Sequence, residues 1–531
     1  MTIAPGFDAV HQHLARWMRT VTLGVGCWLL LGEVRAAAPP PVRQWLVVCP
    51  PAWRETLEPL VQRRLAEGWR TVVLPPDEPT RLRASLHRLC QQHGGPSVIL
   101  LAGDLTRVPA LVGRAGRMKG QPSDAEYGCP DGARLPSVPV GRMPARSAAE
   151  LGGMVAKTVA MEQSEPGAWR RRLTVLAGIP AYNPVVDRLL ESIAFARFDR
   201  LQPTWSGRAL YTAAGSRFYL PEHHIRIQAL AYLREGQAFI LYLGHSNAEG
   251  LYAGPHAAFL DRDDWSRLRI ERGGSLFVTF GCNGCQLRGP DGEGYGVHAA
   301  RNPQGPAAVI GSHGICFAAM VQLGADRLFE EALQGGRART AGDCWLAVLR
   351  GVALERIDYL SYRMMDAVDG DPRIPQAAQR EEHLDMFVLL GDPALRLPQV
   401  RDDIEWTVSE SVRPGQVLRV SGKLPAELAE AEVQVSLERT PASVPYDLEP
   451  VPADGIARDR ALQNNHARSN QFTLVRGQVR ATGGTFETAL RVPPRVPGTR
   501  VILRVHASQG RQEALAARSL KVIAPEEKQA P

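Results

Sequence analysis

Two apolar runs in this sequence end alike. Residues 239–243 (FILYL) lead into Gly244 and His245, and residues 276–280 (LFVTF) lead into Gly281 and Cys282. A thiol and an imidazole held together supply a nucleophile and a general acid/base, the pair that acyl transfer needs. In open parallel sheets, ligands bind just outside the carboxyl ends of strands. Two neighbouring strands of this design would set His245 beside Cys282 at such an edge.

Other reactive groups compete for attention. Cys282-Asn283-Gly284-Cys285 is a C-x-x-C, the pattern of a redox pair or of half a zinc site. No second C-x-x-C exists to complete a zinc site, and a redox pair has little need of the histidine run upstream. A Cys282–Cys285 disulfide that reversibly blocks the nucleophile is a further reading. Of eight cysteines, Cys27 lies in an amino-terminal apolar run, and the remaining seven are an odd number, which marks one as a working thiol. His313-Gly314 also follows an apolar run, but after Cys282, and reads as a pocket-wall or structural histidine. His223-His224 and Glu382-His383 look like metal-ligand fragments. Each lies in a predicted helix with no third partner, so these read as surface histidines and no metal site is assigned.

The elements that must position these groups follow from periodicity. Residues 44–49, 70–74 and 97–101 read as strands, with helices over 53–66 and from a cap at Asp77 to about 93. The alternation continues: strands at 139–142, 173–177, 238–243, 276–280 and 307–311, helices at 148–161, 185–197 and 222–235, then helices to about 386. Such alternation implies a parallel sheet covered on both faces. Beyond residue 398 the texture changes to short alternating segments at 416–420, 432–437, 472–475, 484–492, 500–506 and 519–523. These predict a β-sandwich in which 451–470 is a long polar loop. The expected divisions are 1–38 as address, 39–165 and 166–400 as two α/β subdomains, 401–525 as sandwich and 526–531 as a polar tail.

The address is a secretory signal. His11, His13, Arg16 and Arg19 precede the apolar run 21–31, and Ala36, Ala37 and Ala38 offer the cleavage site before three prolines. The mature chain is therefore expected in the periplasm, in the cell envelope or outside the cell, without a membrane span. Hydrophobic residues at 44% and charged residues at 22% exclude a disordered chain and a coiled coil. The net charge of +7 comes from 62 basic residues, of which only five are lysine. The arginines are scattered and not interleaved with aromatics, so no nucleic-acid partner is expected. The sequence carries no mark of oligomeric state.

The order of motifs resembles the gingipain-type cysteine peptidases, family C25 of the caspase-like clan. AEGWRT (66–71), VILLAGDLTRVP (98–109), SDAEY (123–127), PVGR (139–142), the histidine and cysteine strands, AAVIG (307–311) and LGDP (390–393) succeed one another as in that family. The resemblance implies an α/β, caspase-like fold in two subdomains followed by a C-terminal immunoglobulin-like β-sandwich. It implies Cys282 as nucleophile, His245 as the histidine that protonates the leaving amine, and the backbone amides of Ser246 and Cys282 as oxyanion donors. Substrates would be proteins or peptides. No cofactor is required, and calcium is a family-level expectation only.

The match has departures. Ser246 stands where the family has Gly, whose backbone freedom it lacks. Gly178-Ile179-Pro180 offers no acid to orient the histidine. Few residues separate the expected cleavage site from the first strand, so inhibition by a pro-segment is not expected. Asp187 falls where the family places an acid for a basic P1 side chain, although an acid in the first turn of a helix is favourable anyway. The alternative functions are a catalytically degenerate binding or scaffold protein of the cell envelope, and a thiol-disulfide redox protein using the CNGC motif.

Overall fold

The computed structural model describes residues 42–523, apart from 180–183, 202, 255–256, 290–291, 357–359, 372 and 399–402. The predicted signal segment and the terminal tail lie outside the described residues.

Ten strands form one sheet. Across it they run Arg70–Leu74, Gln44–Val48, Ser97–Ala102, Val140–Met143, Phe387–Leu390, Ala308–Ser312, Leu276–Thr279, Phe239–Leu243, Arg172–Ala177 and Ser206–Tyr211. Side chains alternate between faces along each strand. Leu46, Val48, Leu241, Val278 and Ile310 enter one apolar core, while Trp45, Val47, Ile240, Phe277 and Val309 enter a second on the other face. Burial on both faces is why these strands read as unbroken apolar runs.

The sheet is not wholly parallel. Ala308–Ser312 pairs antiparallel with Phe387–Leu390, which pairs parallel with Val140–Met143, so two parallel halves of opposite direction meet at this junction. The sequence hides the junction strand because it follows the helix Gln376–Met386 without a turn residue. The edge strand Ser206–Tyr211 escapes detection too: its Gly207 and Arg208 break the apolar alternation. Glu78, not Asp77, caps the second helix and accepts from the N–H groups of Thr80 and Arg81. Pro79 occupies the first helical position and so fixes the cap one residue later than expected.

Beyond the sheet, a three-stranded and a five-stranded sheet close about a separate apolar core that includes Val420, Val433, Val435, Leu503 and Val505. The expected polar loop is instead a helix, Gly455–Asn470. Its buried face carries Ala461, Leu462, Asn465, His466 and Ser469, three of them polar, which breaks the apolar stripe and blurs the periodic signal. That face is held by hydrogen bonds to the α/β unit: His466 Nε2 to the Tyr232 hydroxyl (2.8 Å), and the Asn470 amide to both backbone groups of Ala209 (2.8 and 3.0 Å).

Candidate active site

The strands Phe239–Leu243 and Leu276–Thr279 are parallel neighbours, and their pairing ends at Tyr242 opposite Thr279. His245 lies three residues past Tyr242 and Cys282 three residues past Thr279, so both follow the same end of the paired strands. Both side chains line one cavity of about 370 Å³ at this sheet edge, His245 exposed and Cys282 half-buried.

The turns that present them are fixed by close contacts. Gly244 has φ +149°, and a Cβ there would stand 3.0 Å from the Gly178 backbone. Asn283, just after the thiol, has φ 56° and is the one non-glycine residue at positive φ among the described residues. Asn tolerates that region better than most side chains. The backbone N–H of Cys316 points at Cys282 Sγ from 3.4 Å.

Ser246 has an ordinary backbone, so replacing Gly costs no strain at this position. Its hydroxyl ties the two strands together. Thr279 Oγ1 meets the Tyr295 hydroxyl, which donates to Ser246 Oγ (3.3 Å), and Ser246 donates to the Cys282 carbonyl (2.7 Å). Burial keeps Tyr295 protonated by pushing it well above its ordinary range. The same hydroxyl explains Gly281, where a Cβ would lie 2.1 Å from Ser246 Oγ. A short antiparallel bridge holds the chain after His245. Tyr252 N–H donates to His245 O (3.0 Å) and Asn247 N–H to Gly250 O (3.2 Å), a pairing that leaves the Ser246 N–H outside the bridge.

The other sequence-singled residues fall elsewhere. Cys282 packs against the core on one face of the sheet, and Cys285 is fully buried in the core of the other. All seven described cysteines are free thiols, and burial pushes Cys285 well above its ordinary value. That placement gives no support to a Cys282–Cys285 couple. Asp187 sits in the first turn of the helix Pro184–Phe198 and is not among the residues lining the cavity. Glu191, one turn on, does line it. The walls are otherwise largely apolar, including Val175, Phe195, Phe198 and Phe329, and the one lining Asp, Asp326, is bound by Arg197 (2.7 Å) and Gln322 (2.7 Å). At Gly178 a Cβ would stand 2.4 Å from the Tyr252 carbonyl oxygen, so an orienting acid has no room there. Calcium prefers six or more oxygen ligands. Among the described residues the one group of three or more metal-ligating side chains is His223, His224 and Asp459, which does not suit it.

Glu382 and His383, expected at the surface, are fully buried. His383 accepts from the Phe317 N–H at Nε2 (3.1 Å) while Nδ1 donates to the Gln379 carbonyl (2.7 Å). It thereby anchors the segment whose Cys316 amide faces Cys282 Sγ. His313 accepts from the Leu287 N–H (2.9 Å) at the cysteine loop and is structural. Burial lowers both histidines from 6.5 to about 4. Between those values the unfolded chain binds more protons than the folded one, so stability rises with pH across the window. The thermal midpoint should therefore be level above pH 6.5 and fall as pH drops toward 4, with a loss of up to about 1.4 kcal/mol per pH unit for each histidine. A pH series of thermal unfolding reads this, and a midpoint that stays constant down to pH 4.5 would contradict it.

Comparison with known proteins places the chain in a family. The model of peptidase family C25 matches residues 38–398, which include His245 and Cys282. No curated protein matches the chain. Among solved structures, one described as "Structure of Protease" superposes with a TM-score of 0.51 at 15% identity, covering 90% of this chain and 97% of the other. A complex of Porphyromonas gingivalis RgpB pro- and mature domains superposes with a TM-score of 0.49 at 14% identity, covering 90% and 100%. At such identity a likeness speaks to fold, whereas the family match spans about two thirds of the sequence. The chain belongs to peptidase family C25, the gingipain family of cysteine peptidases.

Proposed function

We propose that the protein is a secreted cysteine endopeptidase working through Cys282 and His245. The observation that carries this reading is that His245 and Cys282, each three residues past the last pair of two neighbouring strands, line one cavity. The Cys282 thiolate attacks the scissile carbonyl carbon. The negative oxygen that forms is met by the backbone N–H groups of Ser246 and Cys282, where fixed donors are worth most. His245 protonates the departing amine, a thioester remains on Cys282, and water then hydrolyses it with His245 as base. A basic P1 side chain would be met by Glu191 at the cavity wall, with Asp187 one turn back on the same helix. We assign the C-terminal sheets to an immunoglobulin-like module, supported by two sheets closing about one core. Secretion rests on the amino-terminal sequence pattern.

His245→Ala should lower peptide turnover by about 10²- to 10⁴-fold, the usual worth of a general acid. A panel of peptides with Arg, Lys and apolar P1 residues reads both this loss and the preference of the cavity. Turnover unchanged by the substitution would remove His245 from the reaction.

A further inference from the structure

His223 and His224 open the helix Glu222–Arg234, and the helix Gly455–Asn470 of the C-terminal region meets that first turn. The facing residues of the second helix are Asp459, Gln463, His466 and Asn470, at i, i+4, i+7 and i+11, which is one side of a helix. His466 and Asn470 make the buried hydrogen bonds described above. Gln463 reaches the His224 ring, with 2.9 Å between its amide nitrogen and Nε2. Asp459 continues the same stripe outward and lies 3.3 Å from His223 Nε2. The two imidazole rings are 4.1 Å apart between centroids. One ligand atom from each of His223, His224 and Asp459 lies within 4.8 Å of the other two.

We propose that His223, His224 and Asp459 form a zinc-class metal site that pins the helix Gly455–Asn470 to the α/β unit. Two imidazoles and one carboxylate are a borderline donor set, suited to Zn²⁺, Co²⁺ or Ni²⁺ and poorly suited to Ca²⁺ or Mg²⁺. Zinc bonds of about 2.0–2.2 Å place tetrahedral ligand atoms about 3.4 Å apart. The His223–Asp459 separation already meets that spacing, and the remaining ligands close on it by small side-chain rotations, which their exposure permits. Three protein ligands leave a fourth position for water. Gln463 holds the His224 ring from the helix that supplies Asp459, the kind of outer partner that fixes a ligand's orientation. The cluster is surface-exposed, so an ion has an open path to it. A metal here would link residues 223 and 459, far apart in sequence, across the junction between the two parts of the chain, and would stabilise that junction by mass action.

The test uses the mature chain carrying Cys282→Ala, because a thiol–imidazole pair can itself bind zinc. After removal of metal by chelation, Zn²⁺ is titrated by calorimetry and Co²⁺ by its visible absorption. The proposal expects one equivalent bound, a thermal midpoint that rises with zinc, and affinity lower by about tenfold or more in both His223→Ala and Asp459→Asn. The midpoint of Asp459→Asn should no longer respond to zinc. Absence of binding to the Cys282→Ala chain, or binding and a zinc-dependent midpoint that survive both substitutions, would overturn it. Neither readout depends on peptide hydrolysis, so the outcome is separate from that of the proposed function.

Discussion

Replacing Cys282 with Ala should lower peptide hydrolysis by about 10⁴-fold or more, leaving only what binding and fixed donors contribute. The substitution removes one sulfur from a half-buried position at the cavity mouth and leaves both cores intact. Fold and thermal midpoint should therefore change little, which separates lost chemistry from lost structure. The other described cysteines are poorly placed to take over, and burial raises Cys344 well above the ordinary thiol value. Burial pushes Cys285 and Cys316 well above the ordinary thiol value, and Cys49, Cys90 and Cys129 are each pushed up to about 11. Retained hydrolysis in the purified variant would place the nucleophile elsewhere.

The second large effect is on stability. Arg142 is almost wholly buried and donates through Nε and Nη2 to the two carboxylate oxygens of Asp124, each at 2.7 Å. Its Nη1 donates to the carbonyls of Gly103 and Val108, both at 2.8 Å. Asp124→Ala leaves that guanidinium charge buried without its carboxylate, which costs about 3–5 kcal/mol. Denaturant unfolding of the variant reads this as a lowered midpoint at unchanged slope. A cost under about 1 kcal/mol would show that water or a neighbouring acid replaces Asp124.

These contacts explain what made the family legible. The motifs that carried the resemblance fasten to one another: Asp124 of SDAEY holds Arg142 of PVGR, which in turn holds carbonyls of VILLAGDLTRVP. Asp392 of LGDP accepts from Arg64 Nη2 (2.7 Å) and from the Trp45 indole (3.0 Å). Ordered in sequence, they are clasps that fasten the loops between strands to the sheet. The proposed pair stood out for a different reason, since each residue follows an apolar strand buried on both faces.

What escaped the sequence has physical causes too. Phe387–Leu390 follows a helix without punctuation, so its four apolar residues carried no strand signal of their own. The helix Gly455–Asn470 buries Asn465, His466 and Ser469 alongside Ala461 and Leu462, so it lacks a clean apolar stripe. Because that helix was missed, His223-His224 lacked its third neighbour, Asp459. Ser246 read as a defect because only its backbone was weighed. Its hydroxyl bonds across strands to the Cys282 carbonyl, a contact 36 residues away that no local pattern announces.

The central claim is that Cys282 is a working nucleophile, and active-site labelling tests it most directly. The folded mature protein is treated with a peptidyl chloromethyl ketone, and the intact mass and the modified residue are read by mass spectrometry. The account predicts a single adduct on Cys282, formed far faster than on the unfolded chain and strongly slowed by His245→Ala. A folded protein whose Cys282 stays unmodified, or reacts no faster than an ordinary exposed thiol, would contradict the account and favour a catalytically degenerate binding protein.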